Sequence, residues 1–170
     1  MANRFGFQID KGFSMTWEIQ FVVASGGAAT IAAGTPTKCV TADGSVAGAI
    51  VPMVDTDGLV TAMRFTGLAK DTSTDTAAAA GICNVWAPVP GIVYRGAAKS
   101  AAAADTQAEI NALMGKKVIF DLTGSVWSVD TAATDALVNC VVICGGYPRS
   151  SEILFYYSPK GTIFDTSTAM

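Results

Sequence analysis

Apolar residues in this chain occur in short runs, often alternating with polar residues, and glycine, proline, aspartate or threonine separates one run from the next. Alternation buries one face of an extended strand, and a short apolar run between turn residues is typical of a strand in a core. Many short strands joined by such turns favour a β-barrel or a β-sandwich. The predicted strands are 17–23, 59–65, 68–69, 82–87, 92–96, 118–122, 126–130, 138–144 and 153–157.

Two segments carry the signals of tight turns. Thr123-Gly124-Ser125 lies between two predicted strands and predicts a β-hairpin. Asp55-Thr56-Asp57-Gly58 predicts a second hairpin or a loop turn before the strand at 59–65.

One helix is predicted, beginning after Thr106. Glu109 follows three residues later, which is the spacing of a capping box in which the two residues satisfy each other's backbone donors. Gly115 is the left-handed residue that commonly ends a helix. The apolar residues expected on one face are Ile110, Leu113 and Met114. We expect this helix to cover one end of the barrel.

The first fifteen or so residues differ from the rest, because Phe5, Phe7 and Ile9 alternate with small or polar residues. One interpretation is an edge strand of the domain's own sheet. The other, of equal weight, is an arm that adds a strand to a neighbouring subunit or lies in its groove. We divide the chain into an N-terminal arm, 1–15, and a single β-rich domain, 16–170, with these three side chains as candidate contacts.

The predicted fold is therefore mainly β: a small β-barrel or sandwich with one short capped helix and an extended N-terminal arm. The length of 170 residues accommodates one domain that buries most of its apolar surface.

Charge and hydropathy exclude two classes of partner. The net charge is −3 and lysine and arginine total 11, with no run longer than Lys116-Lys117, so nucleic acid is not an expected partner. The charge-free spans 19–37 and 76–94 are long enough to cross a bilayer, but their glycines and prolines favour strands and turns. We expect no membrane span. The segment 1–10 lacks the apolar core of a signal peptide, so export is not expected.

The cysteines do not predict a metal site. Cys140 and Cys144 share one face of a predicted strand but lie roughly 13 Å apart at about 3.3 Å per residue, too far to form a disulfide with each other. With Cys39 and Cys83 they lack zinc-ligand spacing. We interpret all four as reduced, buried thiols, with one long-range or intersubunit disulfide as the alternative.

Acidic residues allow one metal alternative. Calcium at Asp71 and Asp75, or at Asp55 and Asp57, is chemically possible, although neither stretch has the acidic positions of an EF-hand loop. We interpret the segment 71–76 as a solvent-facing loop whose side chains bond their own backbone. The prediction is therefore no metal and no cofactor.

Candidate chemistry is sparse because the chain contains no histidine. This removes the usual general base and proton shuttle and leaves only a Ser–Lys arrangement formally open for nucleophilic catalysis. Asp121 and Asp130 are interpreted as turn or edge residues rather than an acid/base pair. We predict that the protein is not an enzyme.

Aromatic residues on the predicted strands are interpreted as core, with a stacking platform for a sugar or nucleotide as the alternative. They are Trp86, Tyr94, Phe120, Trp127, Phe155, Tyr156 and Tyr157.

Segments of the central half of the chain carry a family resemblance. They are Gly67-Leu68-Ala69, 73–81, Pro90-Gly91-Ile92-Val93-Tyr94, 106–113 and 118–123. Together they resemble the capsid decoration, or cement, proteins of tailed bacteriophages.

The resemblance implies a structural virion protein without catalytic residues. Such a protein is β-rich, often trimeric, and sits on the outer surface of the assembled capsid, where it bridges coat subunits. The implied partners are the major capsid protein and further copies of the chain, with assembly in the cytoplasm of the bacterial host. Alternatives are a head-fibre or tail-associated virion module, and a carbohydrate-binding β-sandwich using Trp86, Trp127 and the Tyr156-Tyr157 pair.

Overall fold

The computed structural model describes residues 8–11, 17–23, 30–39, 49–54, 64–76, 81–89, 91–132 and 141–158. Within these ranges the chain is mainly β, as predicted, with one α-helix and two short 3-10 turns at Ala101–Ala103 and Pro148–Ser150. None of the helices in these ranges is long and apolar enough to cross a membrane. The elements are β1 (Gln8–Lys11), β2 (Glu18–Val22), β3 (Thr30–Ile31), β4 (Pro36–Cys39), β5 (Ile50–Pro52), β6 (Arg64–Ala69), β7 (Ser73–Thr74), β8 (Ile82–Trp86), β9 (Val93–Ala97), α1 (Gln107–Leu113), β10 (Lys117–Thr123), β11 (Val126–Asp130), β12 (Val141–Tyr147) and β13 (Glu152–Tyr157).

The larger sheet is antiparallel and curls into a half-barrel. Its strand order is β1-β9-β13-β12-β10-β11. Just after β9, Ala98 forms a parallel bridge with Val129 of β11, and the backbone N–H of Lys99 donates to the Val129 carbonyl at 2.9 Å. We call this junction the β9–β11 seam, and it joins strands that lie four places apart in the sheet order.

Strand β1 forms the edge of this sheet. Its Ile9 lies opposite Tyr94 of β9. For residues 8–11 this is the edge-strand arrangement, one of the two interpretations of the N-terminal segment. Phe5 and Phe7 lie outside the described residues.

The second sheet has the order β2-β8-β6-β4-β5 and also curls. Val23, directly after β2, forms a parallel bridge with Ile50 of β5, so the two edge strands meet. Strands β3 and β7 form a separate two-stranded ribbon. Ile31 of β3 packs with Val23 and Ile50 in the smaller of two cores, which is completed by Ala69, Cys83 and Val85.

The larger core lies where the two sheets meet. Phe65 of β6 inserts among aromatic side chains of the six-stranded sheet, with ring centroids 4.6 Å from Tyr157 and 5.8 Å from Phe120. Tyr94 and Phe155 extend the same cluster. Aromatic pairs at these separations add favourable electrostatics to the burial of apolar area.

The local sequence signals for the hairpin and helix are confirmed. Strands β10 and β11 pair from Thr123 opposite Val126, and Gly124 and Ser125 between them have φ of 57° and 69°. Two positive φ angles in a two-residue loop are typical of a type I′ turn, whose twist matches that of the strands.

Helix α1 begins with the predicted capping box between Thr106 and Glu109. Ile110 and Leu113 are buried, but the prediction for Met114 is wrong, because this side chain is 56% exposed. The backbone leaves the helix at Met114, with φ −56° and ψ 131°, so the side chain no longer follows the helical face.

The interpretation of 71–76 as a solvent-facing loop is wrong in part, although Asp71, Thr72, Thr74 and Thr76 are exposed. Strand β7 within it pairs with β3, and Ser73 and Asp75 are buried. Strands β3, β4 and β5 were not predicted, because their short runs pair with partners distant in the chain. The predicted turn at 55–58, and the predicted strand residues 59–63 and 138–140, lie outside the described residues.

Gly67 provides a test of the packing of β6. Its φ is +136°, and a Cβ there would lie 2.1 Å from the Trp86 carbonyl oxygen. We expect Gly67→Ala to lower the free energy of unfolding by about 2–4 kcal/mol, because both the backbone angle and the contact become unfavourable.

The free energies of unfolding are measured by chemical denaturation, and Gly124→Ala is the matched control. Gly124 also has positive φ, but a Cβ there meets nothing within 4 Å, so the loss should be about 1 kcal/mol. Equal losses for the two variants would contradict close packing of β6 on β8.

Candidate functional site

The most connected charged cluster lies at the β9–β11 seam. Lys99 Nζ lies 2.7 Å from Asp121 Oδ1 on β10 and 2.8 Å from Asp130 Oδ2 at the end of β11. The Asp121 side chain is only 7% exposed, and its other oxygen accepts a hydrogen bond from Thr123 Oγ1 at 2.7 Å. We call Lys99, Asp121 and Asp130 the seam cluster.

This arrangement suits structural ion pairing better than catalysis. Hydrogen bonds from Lys99 to Asp121 and Asp130 raise the pKa of the ammonium group well above its ordinary value. A lysine acts as a nucleophile or base only when its amine is neutral. The Ser–Lys arrangement left open by the sequence therefore gains no support at Lys99.

The sequence placed Asp121 and Asp130 on hairpin strands but missed their common partner. In the hairpin register Asp121 lies opposite Ser128, so Asp130 is its diagonal neighbour on the same face. That juxtaposition could have been found from the predicted hairpin. The position of Lys99 beside these two carboxylates could not be predicted, because it depends on the bridge between Ala98 and Val129 of β11.

Cys83 is a buried free thiol in the smaller core, as predicted. Burial, with a smaller contribution from the Asp71 carboxylate, raises the pKa of its thiol to about 11. A thiol that stays protonated at neutral pH is a poor nucleophile and a poor metal ligand. Cys39 and Cys144 are partly buried, and Cys140 lies outside the described residues.

Most of the strand aromatics are core residues, as interpreted. Trp127 is 6% exposed and Tyr157 is 1% exposed, while Trp86 is partly buried against the larger core. Tyr156 is the exposed member of the proposed sugar-stacking set, at 38%. These four side chains therefore do not form one open platform.

Two exposed apolar side chains face each other across strands β2 and β8 of the five-stranded sheet. Val22 of β2 lies directly opposite Ile82 of β8, and the two are 38% and 59% exposed. Trp17, at the opposite end of β2 from this pair, is also exposed, at 55%. Among the described residues, the segment Glu18–Val22 pairs with β8 and with no second strand. We call this side of β2, with Val22 and Ile82 beside it, the β2 edge.

Polar contacts hold the strands of this surface in register. Gln20 Nε2 donates to Asn84 Oδ1 at 3.3 Å, and Asn84 Nδ2 donates to Asp71 Oδ2 at 3.0 Å. Lys70 forms an ion pair of 2.9 Å with Glu18. The surface thus combines an apolar end with an ordered polar end.

Of the predicted contact residues, Ile9 is described and is not part of the β2 edge, while Phe5 and Phe7 lie outside the described residues. Ile9 lies on β1, which belongs to the other sheet. The β2 edge itself was missed, since the alternation in 17–23 predicts a strand but does not reveal which of its sides lacks a partner.

A shallow cleft of about 390 Å³ lies between the start of α1 and the 3-10 turn after β12. Its lining residues are Asp105, Thr106, Gln107, Tyr147, Pro148 and Arg149. A hydrogen bond with the Glu109 side chain raises the pKa of Asp105. A hydrogen bond from the Thr106 side chain lowers the pKa of Glu109. The capping box thus already uses part of this polar surface.

The acidic residues weighed as calcium ligands are in different environments. Asp71 is exposed and bound by Asn84, whereas Asp75 is buried and accepts from the Gly81 backbone N–H. Across the described ranges, no group of three or more cysteine, aspartate or glutamate side chains is placed to hold a metal ion.

Comparison with known protein families, curated proteins and solved structures finds no match to this chain. Its candidate sites are therefore defined by their own geometry.

We predict that Lys99→Met lowers the thermal midpoint at pH 7, because it removes two ion pairs and leaves two neighbouring carboxylates without their cation. The folded-state pKa of Lys99 is raised above the ordinary 10.5. Its contribution is therefore full below pH 10.5 and is lost as pH rises through the folded-state pKa. The difference between wild type and variant should shrink at alkaline pH.

Burial raises the pKa of Tyr94, so both proteins lose stability at high pH. Comparing the midpoint of the variant with that of wild type at each pH cancels this shared effect. Lys70→Met is the control, because its ion pair with Glu18 is exposed at both ends and should contribute little. A Lys99 variant as stable as the Lys70 variant at pH 7 would show that the seam cluster does not stabilise the fold.

Proposed function

We propose that the protein is a structural component of a bacteriophage virion. It binds the outer surface of the assembled capsid, bridges coat subunits and performs no catalysis. Its partners are the major capsid protein and further copies of itself, as a homotrimer. The resemblance of the central segments to capsid decoration proteins supports this proposal, and so does the mainly β fold.

The observation that carries the proposal is the β2 edge. A strand with a free side can accept an extended segment of another chain through backbone hydrogen bonds, and neighbouring apolar side chains add specificity. Val22 and Ile82 stand directly opposite each other beside that free side. We assign the contact with the coat subunit to this surface.

The seam cluster supports a structural role. Its lysine is held as an ammonium ion by two carboxylates. These ion pairs therefore connect strands of the half-barrel. The ammonium group and both carboxylates already have partners within the fold.

Binding of this kind stabilises the shell by mass action. A protein that binds the assembled lattice but not separate coat subunits shifts the equilibrium towards the lattice. In a trimer the same modest contact is made three times, so that the second and third contacts form at high effective concentration. Weak individual sites are then sufficient for high occupancy.

Co-sedimentation with capsids of the encoding virus tests the function. We expect the protein to sediment with assembled capsids but not with dissociated coat subunits, and to raise the temperature at which capsids break. Ile82→Ser should weaken capsid binding by about tenfold, as expected for loss of a central apolar contact. Met114→Ser is the matched control, since Met114 is 56% exposed but lies at the end of α1.

Equal capsid binding by the Ile82→Ser and Met114→Ser variants would show that the β2 edge does not contact the coat subunit. Absence of wild-type binding to assembled capsids would refute the proposed function. Light scattering of the isolated protein checks the trimer independently.

Removal of residues 1–7 tests the predicted N-terminal contacts. The deletion takes away Phe5 and Phe7 but leaves β1, which pairs with β9. We expect lower capsid occupancy with an unchanged thermal midpoint, measured by co-sedimentation and scanning calorimetry. Unchanged occupancy would show that these two side chains do not contact the capsid.

A further inference from the structure

The polar end of β2 and β8 carries an exposed aromatic side chain on an anchored backbone. Trp17 is 55% exposed, and its carbonyl oxygen accepts a hydrogen bond of 2.8 Å from the N–H of Ala87, which is buried. The next residue, Glu18, lies opposite Trp86 of β8. Tryptophan is enriched among the residues that dominate binding energies, because its ring buries a large area at little cost in conformational entropy. An exposed indole in this position therefore offers a contact for a ligand.

Two residues further along β2, a row of amide side chains is held in place. Gln20 and Asn84 are direct cross-strand partners, and Gln20 Nε2 donates to Asn84 Oδ1 at 3.3 Å. Asn84 Nδ2 donates in turn to Asp71 Oδ2 at 3.0 Å. Each amide has two N–H donors, so these bonds leave one N–H on each amide for a ligand, together with the side-chain oxygen of Gln20. The row thus presents both donors and an acceptor.

The charges around this row disfavour an anionic ligand. Lys70 Nζ is already paired with Glu18 Oε2 at 2.9 Å. Asp71 adds a second carboxylate, which Asn84 binds. Since the carboxylates outnumber the ammonium group, a phosphate or an acidic sugar brought to this surface is repelled. A neutral ligand that carries hydroxyl groups meets no such repulsion.

We propose that this end of β2 and β8 binds a neutral saccharide, and we call Trp17, Gln20 and Asn84 the saccharide site. A pyranose ring has an apolar face of C–H groups that packs on an aromatic ring. The hydroxyl groups at its rim both donate and accept hydrogen bonds, and amides that are held in place have their donors and acceptors oriented before the ligand arrives. This inference goes beyond the proposed function and does not depend on capsid binding.

The saccharide site and the β2 edge can be tested separately. Val22 and Ile82 form the last cross-strand pair of β2 and β8, and Glu18 and Trp86 form the first. At about 3.3 Å per residue these two pairs lie roughly 13 Å apart. A substitution at one end therefore leaves the side chains at the other end in place.

Isothermal titration calorimetry of the full chain with three neutral oligosaccharides tests the proposal. The probes are maltohexaose, cellohexaose and triacetylchitotriose. We expect at least one of them to bind with a Kd below about 1 mM, and the acidic trigalacturonate to bind more weakly. Absence of binding by all three neutral probes would overturn the proposal, and so would equally tight binding of trigalacturonate.

Trp17→Ala should weaken saccharide binding by at least about tenfold, as expected for loss of the stacking side chain. Tyr156→Ala is the matched control, because Tyr156 is an aromatic residue of the other sheet and is 38% exposed. The control variant should bind like wild type. Equal binding by the two variants would place the ligand elsewhere and overturn the proposal.

Gln20→Ala keeps the test decisive if Trp17→Ala does not fold. Gln20 is exposed, so its loss should leave the thermal midpoint unchanged. Saccharide binding should weaken by about fivefold, as expected for loss of a hydrogen bond to the ligand. A folded Gln20 variant that binds the saccharide like wild type would contradict the proposal.

Discussion

The two-sided burial of β6 is the constraint on which the rest of the structure depends. Phe65 and Leu68 pack in the larger core, whereas Ala69 packs in the smaller one. At Gly67 the strand approaches β8 so closely that no side chain fits. Because one strand supplies both cores, the six-stranded and five-stranded sheets form one packed unit.

The two curled sheets are closed by similar means. In each, a residue just beyond a strand forms a parallel bridge to a strand at the opposite side of the sheet order, Ala98 to Val129 and Val23 to Ile50. Polar groups reinforce both closures: the seam cluster at the first, and the Asp75–Gly81 contact near the second. Closure protects backbone edges that would otherwise pair with other chains.

The surface left open by this closure is where we place function. β2 keeps a free side along Glu18–Val22 in the described part of the chain, and apolar side chains lie beside it. The charged groups with the strongest electrostatic interactions are instead committed to partners within the fold. In the proposed role the β2 edge supplies the contact with the coat subunit, while the seam cluster stabilises the fold.

Sequence by itself determined the hairpin, the capped helix, the mainly β class and the aromatic core, because each depends on neighbours within a few residues or on side-chain hydrophobicity. Only tertiary structure decided the pairing of Thr30 with Thr74 and the meeting of Lys99 with Asp130, partners separated by 44 and 31 residues. The burial of Asp75, and the side of β2 that has no partner strand among the described residues, were likewise invisible in the sequence. Such contacts depend on how the sheets curl, and curling is set by packing between distant strands.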